Sequence, residues 1–360
     1  MRILVISNMY PSTMNPTFGV FVKNFYDYLC LKNGADNTWL IAIKGKSESK
    51  IGKIGKYVSF YLKVLFCLLF NKYDLVYVHF ITFPIVPIKI ASFFKDLPLV
   101  FNIHGSDWIT HTPFAEKLKI LALPIVRKAE MVVVPSSIFK KVVLKDLSML
   151  DSSKIKVSYS GGIDLEKFRP LKIINKDKDV LVLGYVSRII ENKGWKLFVD
   201  VFKLLIDKGI RVKGIMSGGG KEEQELIQSI SYYGLNDVIE YKGAVAQEDL
   251  PVLYNQMDLF IFPTLFYESL GLVGLEAMAC GVPVVGSNQG GIKEYVKPGV
   301  NGFLFESGNV MDLYNKIVNY ISMGHDKQIA MKENALETAQ TFDKNIVMDD
   351  LISEIYKCVS

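Results

Sequence analysis

Four cysteines in 360 residues, at positions 30, 67, 280 and 358, stand far apart with no CxxC pair. Their scarcity excludes a disulfide framework and fits reduced thiols packing as small hydrophobes in a cytosolic protein. Histidine is equally sparse. His79, His104, His111 and His325 show no metal spacing, and no HExxH occurs. Charge of one sign is also lacking: 42 basic against 37 acidic side chains give +5, too weak a balance to argue for nucleic acid. Long hydrophobic runs are missing as well. The apolar run at 3–6 is too short for a signal-peptide core, and 57–70 is interrupted by Ser59 and Lys63. It falls below the ~20 apolar residues that span a bilayer. The expectation is a soluble, cytoplasmic protein, or one lying on the inner face of the cell membrane.

What is present points to cores. Half the residues are hydrophobic and 22% are charged, which excludes a mainly disordered chain, and 360 residues suit two domains. Short β-rich runs alternate with helix-length amphipathic segments. Strands are expected at 3–6, 39–43, 75–78, 99–103 and 131–134, then at 180–186, 212–216, 238–241, 259–262 and 282–285. This alternation predicts an α/β protein with two doubly wound parallel sheets, each with a crevice at its strand C-termini. The polar stretch 175–179 is the best boundary and contains a DxD triplet, Asp177 and Asp179. It precedes a strand, where a ligand site does not belong, so it reads as a solvated linker rather than a metal motif. The expected domains are therefore 1–170 and 171–341, with 342–360 a helix packing back on the first.

The strongest chemical signal runs from Pro263 to Val285 and carries Glu268 and Glu276 on either side of a helix start. Free amides over Ser269, Leu270, Gly271 and Leu272, with the positive end of a helix dipole, suit a phosphate or pyrophosphate. Glycines at 271 and 274 permit close approach of a ligand and a neighbouring strand. A carboxylate on either side can accept hydrogen bonds from sugar hydroxyls. Arg188 and Lys193 flank the loop after the first strand of the second half, two cations suited to a diphosphate whose charge grows on departure. The glycine triplet at 218–220 follows another strand and is a weak signal alone. In the first half, Gly19 opens the first helix, and its loop suits a lid over phosphates or a wall of the acceptor site. His104 ends a strand and is followed by Gly105 and then Asp107; a neutral imidazole there can donate to a sugar hydroxyl. His79 also ends a strand, with packing and an acceptor cleft equally open.

The stretch around Glu268 and Glu276 resembles the glutamate–seven residues–glutamate signature of retaining glycosyltransferase family 4. The likeness continues through 286–296 and 301–305 and covers the chain densely over 180–305, thinly before it. The resemblance implies the GT-B fold, two Rossmann-like domains facing each other across a cleft, with the acceptor on the first and a nucleotide-sugar on the second. It implies hexosyl transfer to an acceptor hydroxyl with retained configuration, and no metal or other cofactor. It places Arg188 and Lys193 on the diphosphate, His104 near the donor sugar, Gly218 at one side of the nucleotide crevice and Val245 at the base. Catalysis would fall to His104, Glu268, Arg188 and Lys193, and donor binding to Gly19, Gly218, Val245, Ser269–Leu272 and Glu276. Two departures are visible: Ser187 where glycine is usual, and Phe18-Gly19 where many relatives carry two glycines. The implied setting is envelope or capsular polysaccharide or glycolipid synthesis, on a sugar or lipid-linked glycan acceptor.

Alternatives are another GT-B activity, such as a phosphorylase or an epimerase, and an inactive sugar-nucleotide-binding partner subunit. Along 53–70, Lys53, Lys56 and Lys63 fall on one stripe of an expected helix beside an apolar remainder. Burial against the sheet with a solvated lysine edge is preferred by a small margin over docking on anionic lipid.

Overall fold

Runs such as 3–6 and 259–262 carry no polar side chain to face water, so they pair into parallel sheets covered on both sides. A computed structural model of the chain describes residues 1–47, 49–147, 150–172 and 180–359. It contains β1 (Ile3–Tyr10), β2 (Thr38–Lys44), β3 (Leu75–His79), β4 (Leu99–Asn102), β5 (Met131–Val134) and β6 (Ile155–Val157), paired in the order β2-β1-β3-β4-β5-β6. A second sheet holds β7 (Leu181–Val186), β8 (Val212–Ser217), β9 (Ile239–Tyr241), β10 (Leu259–Phe262), β11 (Val284–Ser287) and β12 (Gly302–Phe305), in the order β12-β11-β10-β7-β8-β9. Every strand pair in both is parallel. The order reverses between β1 and β3 in the first sheet and between β7 and β10 in the second.

Each sheet belongs to its own compact unit, Met1–Gly161 with Asn345–Ser360, and Gly162–Lys344. The division falls at Gly161–Gly162, ahead of the expected 170/171. Its cause is local backbone geometry that polarity does not reveal: Ser160, Gly161 and Gly162 all have positive φ, at 53°, 86° and 76°. Ile163 then pairs with the second unit, donating to the Phe342 carbonyl at 2.8 Å and accepting from the Lys344 amide at 2.9 Å. Asp177 and Asp179 lie outside the described residues.

The first core gathers Ile3, Val5, Phe25, Leu29, Leu75 and Tyr77, and the helix Lys344–Lys357 adds Met348, Leu351, Ile352 and Ile355 to it. In the second, Trp195, Phe198, Phe202 and Leu205 of the helix Trp195–Asp207 cover β7 and β8. The helix Lys50–Phe70 buries Phe60, Val64 and Leu68. Its lysine edge is not wholly solvated: Lys56 Nζ donates to the carbonyls of Lys44, Gly45 and Lys46 at 2.9, 3.2 and 3.1 Å.

Candidate active site

Crevices in doubly wound sheets open where the strand order reverses, at the strand C-termini. In the second unit that point lies between β7 and β10. The loop after β7 carries Arg188 and Lys193, and the loop after β10 carries Glu268. Lys193 Nζ forms an ion pair with Glu268 Oε1, and both side chains are largely enclosed, 14% and 12% exposed. Thr264 Oγ1 donates to the same oxygen at 3.0 Å, and the Phe266 ring lies 5.7 Å from the ammonium. Arg188 is exposed and has no ion pair among the described residues.

Two close approaches shape this corner. Gly194 has φ 72°, and a Cβ there would stand 1.8 Å from the Pro263 carbonyl oxygen, so β7's loop lies directly on β10's. Gly218 has φ 142°, and its Cβ would stand 1.7 Å from the Ser187 carbonyl oxygen. The Gly218 amide donates to the Gly243 carbonyl at 2.8 Å, and its own carbonyl accepts from Tyr241 O–H at 2.6 Å. Both backbone groups of Gly218 are thus engaged within the protein, and the glycine serves the packing of the loop. Val245 sits in the loop after β9, half-buried.

The helix after β10 is Leu272–Ala279, with Gly271 as its N-cap at φ 87°. The amides of Leu272 and Val273 open this helix without an intrahelical partner, whereas the Gly274 amide donates to the Gly271 carbonyl at 3.1 Å; Ser269 and Leu270 precede them, Leu270 with its side chain buried. The room beside Gly271 is filled by the Phe262 ring and that beside Gly274 by Tyr295, whose O–H donates to the Gly271 carbonyl at 2.9 Å. Glu276 lies on the buried side of this helix and accepts from Tyr254 O–H at 3.0 Å. Burial pushes its carboxyl above the ordinary range, while the Tyr254 hydrogen bond and nearby Lys167 work the other way.

In the first unit the reversal lies between β1 and β3. Gly19 follows β1 with φ 73°, buried against the Met9 and Tyr10 backbone, where a Cβ would meet the Met9 carbonyl carbon at 2.8 Å. His79 ends β3 and His104 follows β4. Their Nδ1 and Nε2 atoms are 3.0 Å apart, among the rings of Phe21, Phe25 and Phe80. Burial pushes His104 down to about 3, and burial with the neighbouring His104 holds His79 well below its ordinary value. The buried Nε2 of His79 has no partner among the described residues. Assigning the shared proton to His79 Nδ1 leaves only a lone pair at that orphaned atom. Asp107 is buried and ties two loops, accepting from the amides of His104 (2.9 Å), Gly105 (3.0 Å) and Ile81 (3.1 Å). Burial raises its carboxyl to about 6, against the pull of those amides. Phe80, between these loops, has φ 63°, a strained value for a bulky residue.

Sequence reasoning did not single out Thr264, Tyr254, Phe21 or Phe80. Thr264 carried one signal, a hydroxyl two residues after β10 and four residues before Glu268. The others read only as apolar positions of helices and strand ends.

The family model for glycosyl transferases group 1 matches residues 167–338, and that for Glycosyltransferase Family 4 matches 29–167. The chain belongs to glycosyltransferase family 4. Among its curated relatives, the capsular polysaccharide biosynthesis glycosyltransferase CapM of Staphylococcus aureus is 27% identical over 283 residues, 73% of this chain and 72% of that protein. The D-inositol 3-phosphate glycosyltransferase of Mycobacterium sp. (strain KMS) is 31% identical over 206 residues, 55% of this chain but only 46% of its own length. The fold is GT-B. Anabaena HepE, solved with UDP, superposes with a TM-score of 0.77 at 23% identity, covering 99% of this chain and 100% of that one. A glycosyltransferase from Rickettsia africae gives 0.79 at 18% identity, covering 99% and 98%. This family 4 glycosyltransferase therefore carries the expected fold, and its Glu268 and Lys193 meet at the switch point of the second sheet.

Proposed function

We propose that the chain is a retaining glycosyltransferase that moves a hexosyl group from a nucleotide-sugar to an acceptor hydroxyl, in envelope or capsular polysaccharide or glycolipid synthesis. The observation that carries this reading is the enclosed Lys193–Glu268 pair beside the start of the helix Leu272–Ala279. An arriving diphosphate offers Lys193 a second anionic partner and releases Glu268 to accept from hydroxyls of the transferred sugar. Arg188, exposed beside it, adds charge as the nucleotide leaves. The amides over Ser269–Leu272 take phosphate oxygens. Glu276, held by Tyr254, accepts from ribose hydroxyls. Val245 lines the base, Gly218 shapes the adjoining loop, and Gly19 lets the first unit's backbone near the ligand. His104 acts on the donor sugar as the resemblance implies.

The name of the S. aureus relative supports a polysaccharide setting, and UDP in Anabaena HepE makes uridine diphosphate sugars the first donors to try. In the same reading no metal takes part, and the acceptor is a sugar or lipid-linked glycan met at the cytoplasmic face of the cell membrane. A thermal-shift screen of nucleotide-sugars tests the donor. One present at 100 times its Kd stabilises by about 2.7 kcal/mol. A complete panel that leaves the unfolding midpoint unmoved contradicts the reading.

A further inference from the structure

The helix Lys50–Phe70 is apolar on two opposite faces. Phe60, Val64 and Leu68 are buried in the first unit. Ile51, Ile54, Val58, Leu62, Phe66 and Phe70 recur at three- and four-residue steps on the other side, each 52–85% exposed. Two more exposed aromatic side chains stand on a neighbouring segment. The helix Ile85–Ala91 packs against Lys50–Phe70, and Phe93 and Phe94, 77% and 73% exposed, follow directly. Lys95 Nζ donates to the Asn71 carbonyl at 2.8 Å, which ties this segment to the helix's C-terminal end. A contiguous exposed apolar row of this length marks a surface that meets something other than water.

Charge selects the occupant. Residues 49–73 contain five lysines and no aspartate or glutamate, and Lys50, Lys53, Lys63 and Lys72 are exposed. A second copy laid on this face would bring two acid-free lysine rows together. An anionic lipid surface instead accepts both the apolar row and the ammonium groups beside it. No helix among the described residues is long and apolar enough to cross a membrane, so such a helix lies in the interface plane. We propose that the exposed face of Lys50–Phe70, with Phe93 and Phe94, inserts into the headgroup boundary of an anionic bilayer. This rests on the membrane location proposed for the enzyme, and it names the surface and the lipid chemistry.

The test is cosedimentation of the full chain with vesicles of phosphatidylcholine alone or mixed with phosphatidylglycerol. The chain should bind the mixed vesicles and be released by salt. Ile54→Ser/Leu62→Ser/Phe66→Ser should abolish binding. Lys50→Gln, Lys53→Gln and Lys63→Gln should each weaken it roughly fivefold. All six side chains are exposed, so the unfolding midpoint and nucleotide stabilisation should stay as in the parent. If one set fails to fold, the other carries the test. Absence of binding, equal binding to both vesicles, or serine variants that bind like the parent would overturn the proposal. So would a lipid-free dimer that the serine changes dissolve, since the occupant would then be a second copy. Loss of vesicle binding with nucleotide-sugar stabilisation intact leaves the glycosyl-transfer reading standing.

Discussion

Glu268 and Glu276 are both carboxylates on one loop–helix unit, yet their surroundings differ in kind. Glu268 faces a cation and a hydroxyl at the loop, whereas Glu276 is buried against the Tyr254 phenol. Glu268→Ala should therefore lower kcat and alter discrimination among donors that differ in their hydroxyls. Glu276→Ala should weaken free nucleoside diphosphate and intact donor alike, which parallel calorimetric titrations would show. In the first unit the paired histidines are kept neutral. His104 falls from 6.5 to about 3, and His79 falls well below 6.5, so the stability they contribute is complete above pH 6.5. It is lost as pH falls from there towards about 3, because only the unfolded chain takes up those protons. Asp107 opposes them: raised from 3.8 to about 6, it favours the fold below 3.8 and loses that contribution as pH rises through 6. Between those values two unfolded-state protons compete with one native proton, and stability should fall on acidification. Urea midpoints measured downwards from neutral pH check this; a flat or rising profile would show that the histidines are not buried neutral.

At the scale of elements, glycines set how loops meet. Gly194→Ala and Gly218→Ala add a Cβ at positive φ against backbone carbonyls, and each should destabilise by more than about 1 kcal/mol. Gly219→Ala should be close to neutral, because its new Cβ meets the end of the Glu223 side chain at 3.3 Å and the Ala244 Cβ at an ordinary 3.5 Å. Thermal midpoints of the three variants decide it. The parallel strands with unbroken apolar runs were legible from residues alone, and so was the placement of Glu268 and Lys193 at strand C-termini. The edge strands β6 and β12 were not. Ile155-Lys-Val157 is too short to show a period, and Gly302-Phe-Leu-Phe305 opens on a glycine, a strand breaker. That glycine is required by packing, since a Cβ at Gly302 would stand 2.0 Å from the Val284 carbonyl oxygen. Non-local contacts were likewise hidden. Nothing in sequence spacing announces that Lys193 pairs with a residue 75 positions away, or that the Tyr295 O–H reaches the Gly271 carbonyl.

For the molecule as a whole, two compact units of one chain divide the proposed work. In the proposed mechanism, protein cations and amides hold the leaving diphosphate and no metal takes part. Turnover should thus survive EDTA and the Asp177→Ala/Asp179→Ala double change; abolition by chelator, restored by Mg²⁺ or Mn²⁺, would contradict that assignment. The most direct measurement is calorimetric affinity for the nucleoside diphosphate that stabilises the chain most, in the parent, Lys193→Ala and His104→Ala. Loss of a charge-assisted contact in the second unit should weaken binding about 10- to 100-fold in Lys193→Ala. His104→Ala should bind the diphosphate as the parent does while its transfer rate falls. Undiminished affinity in Lys193→Ala, together with weakened affinity in His104→Ala, would contradict the placement of the donor on the second unit.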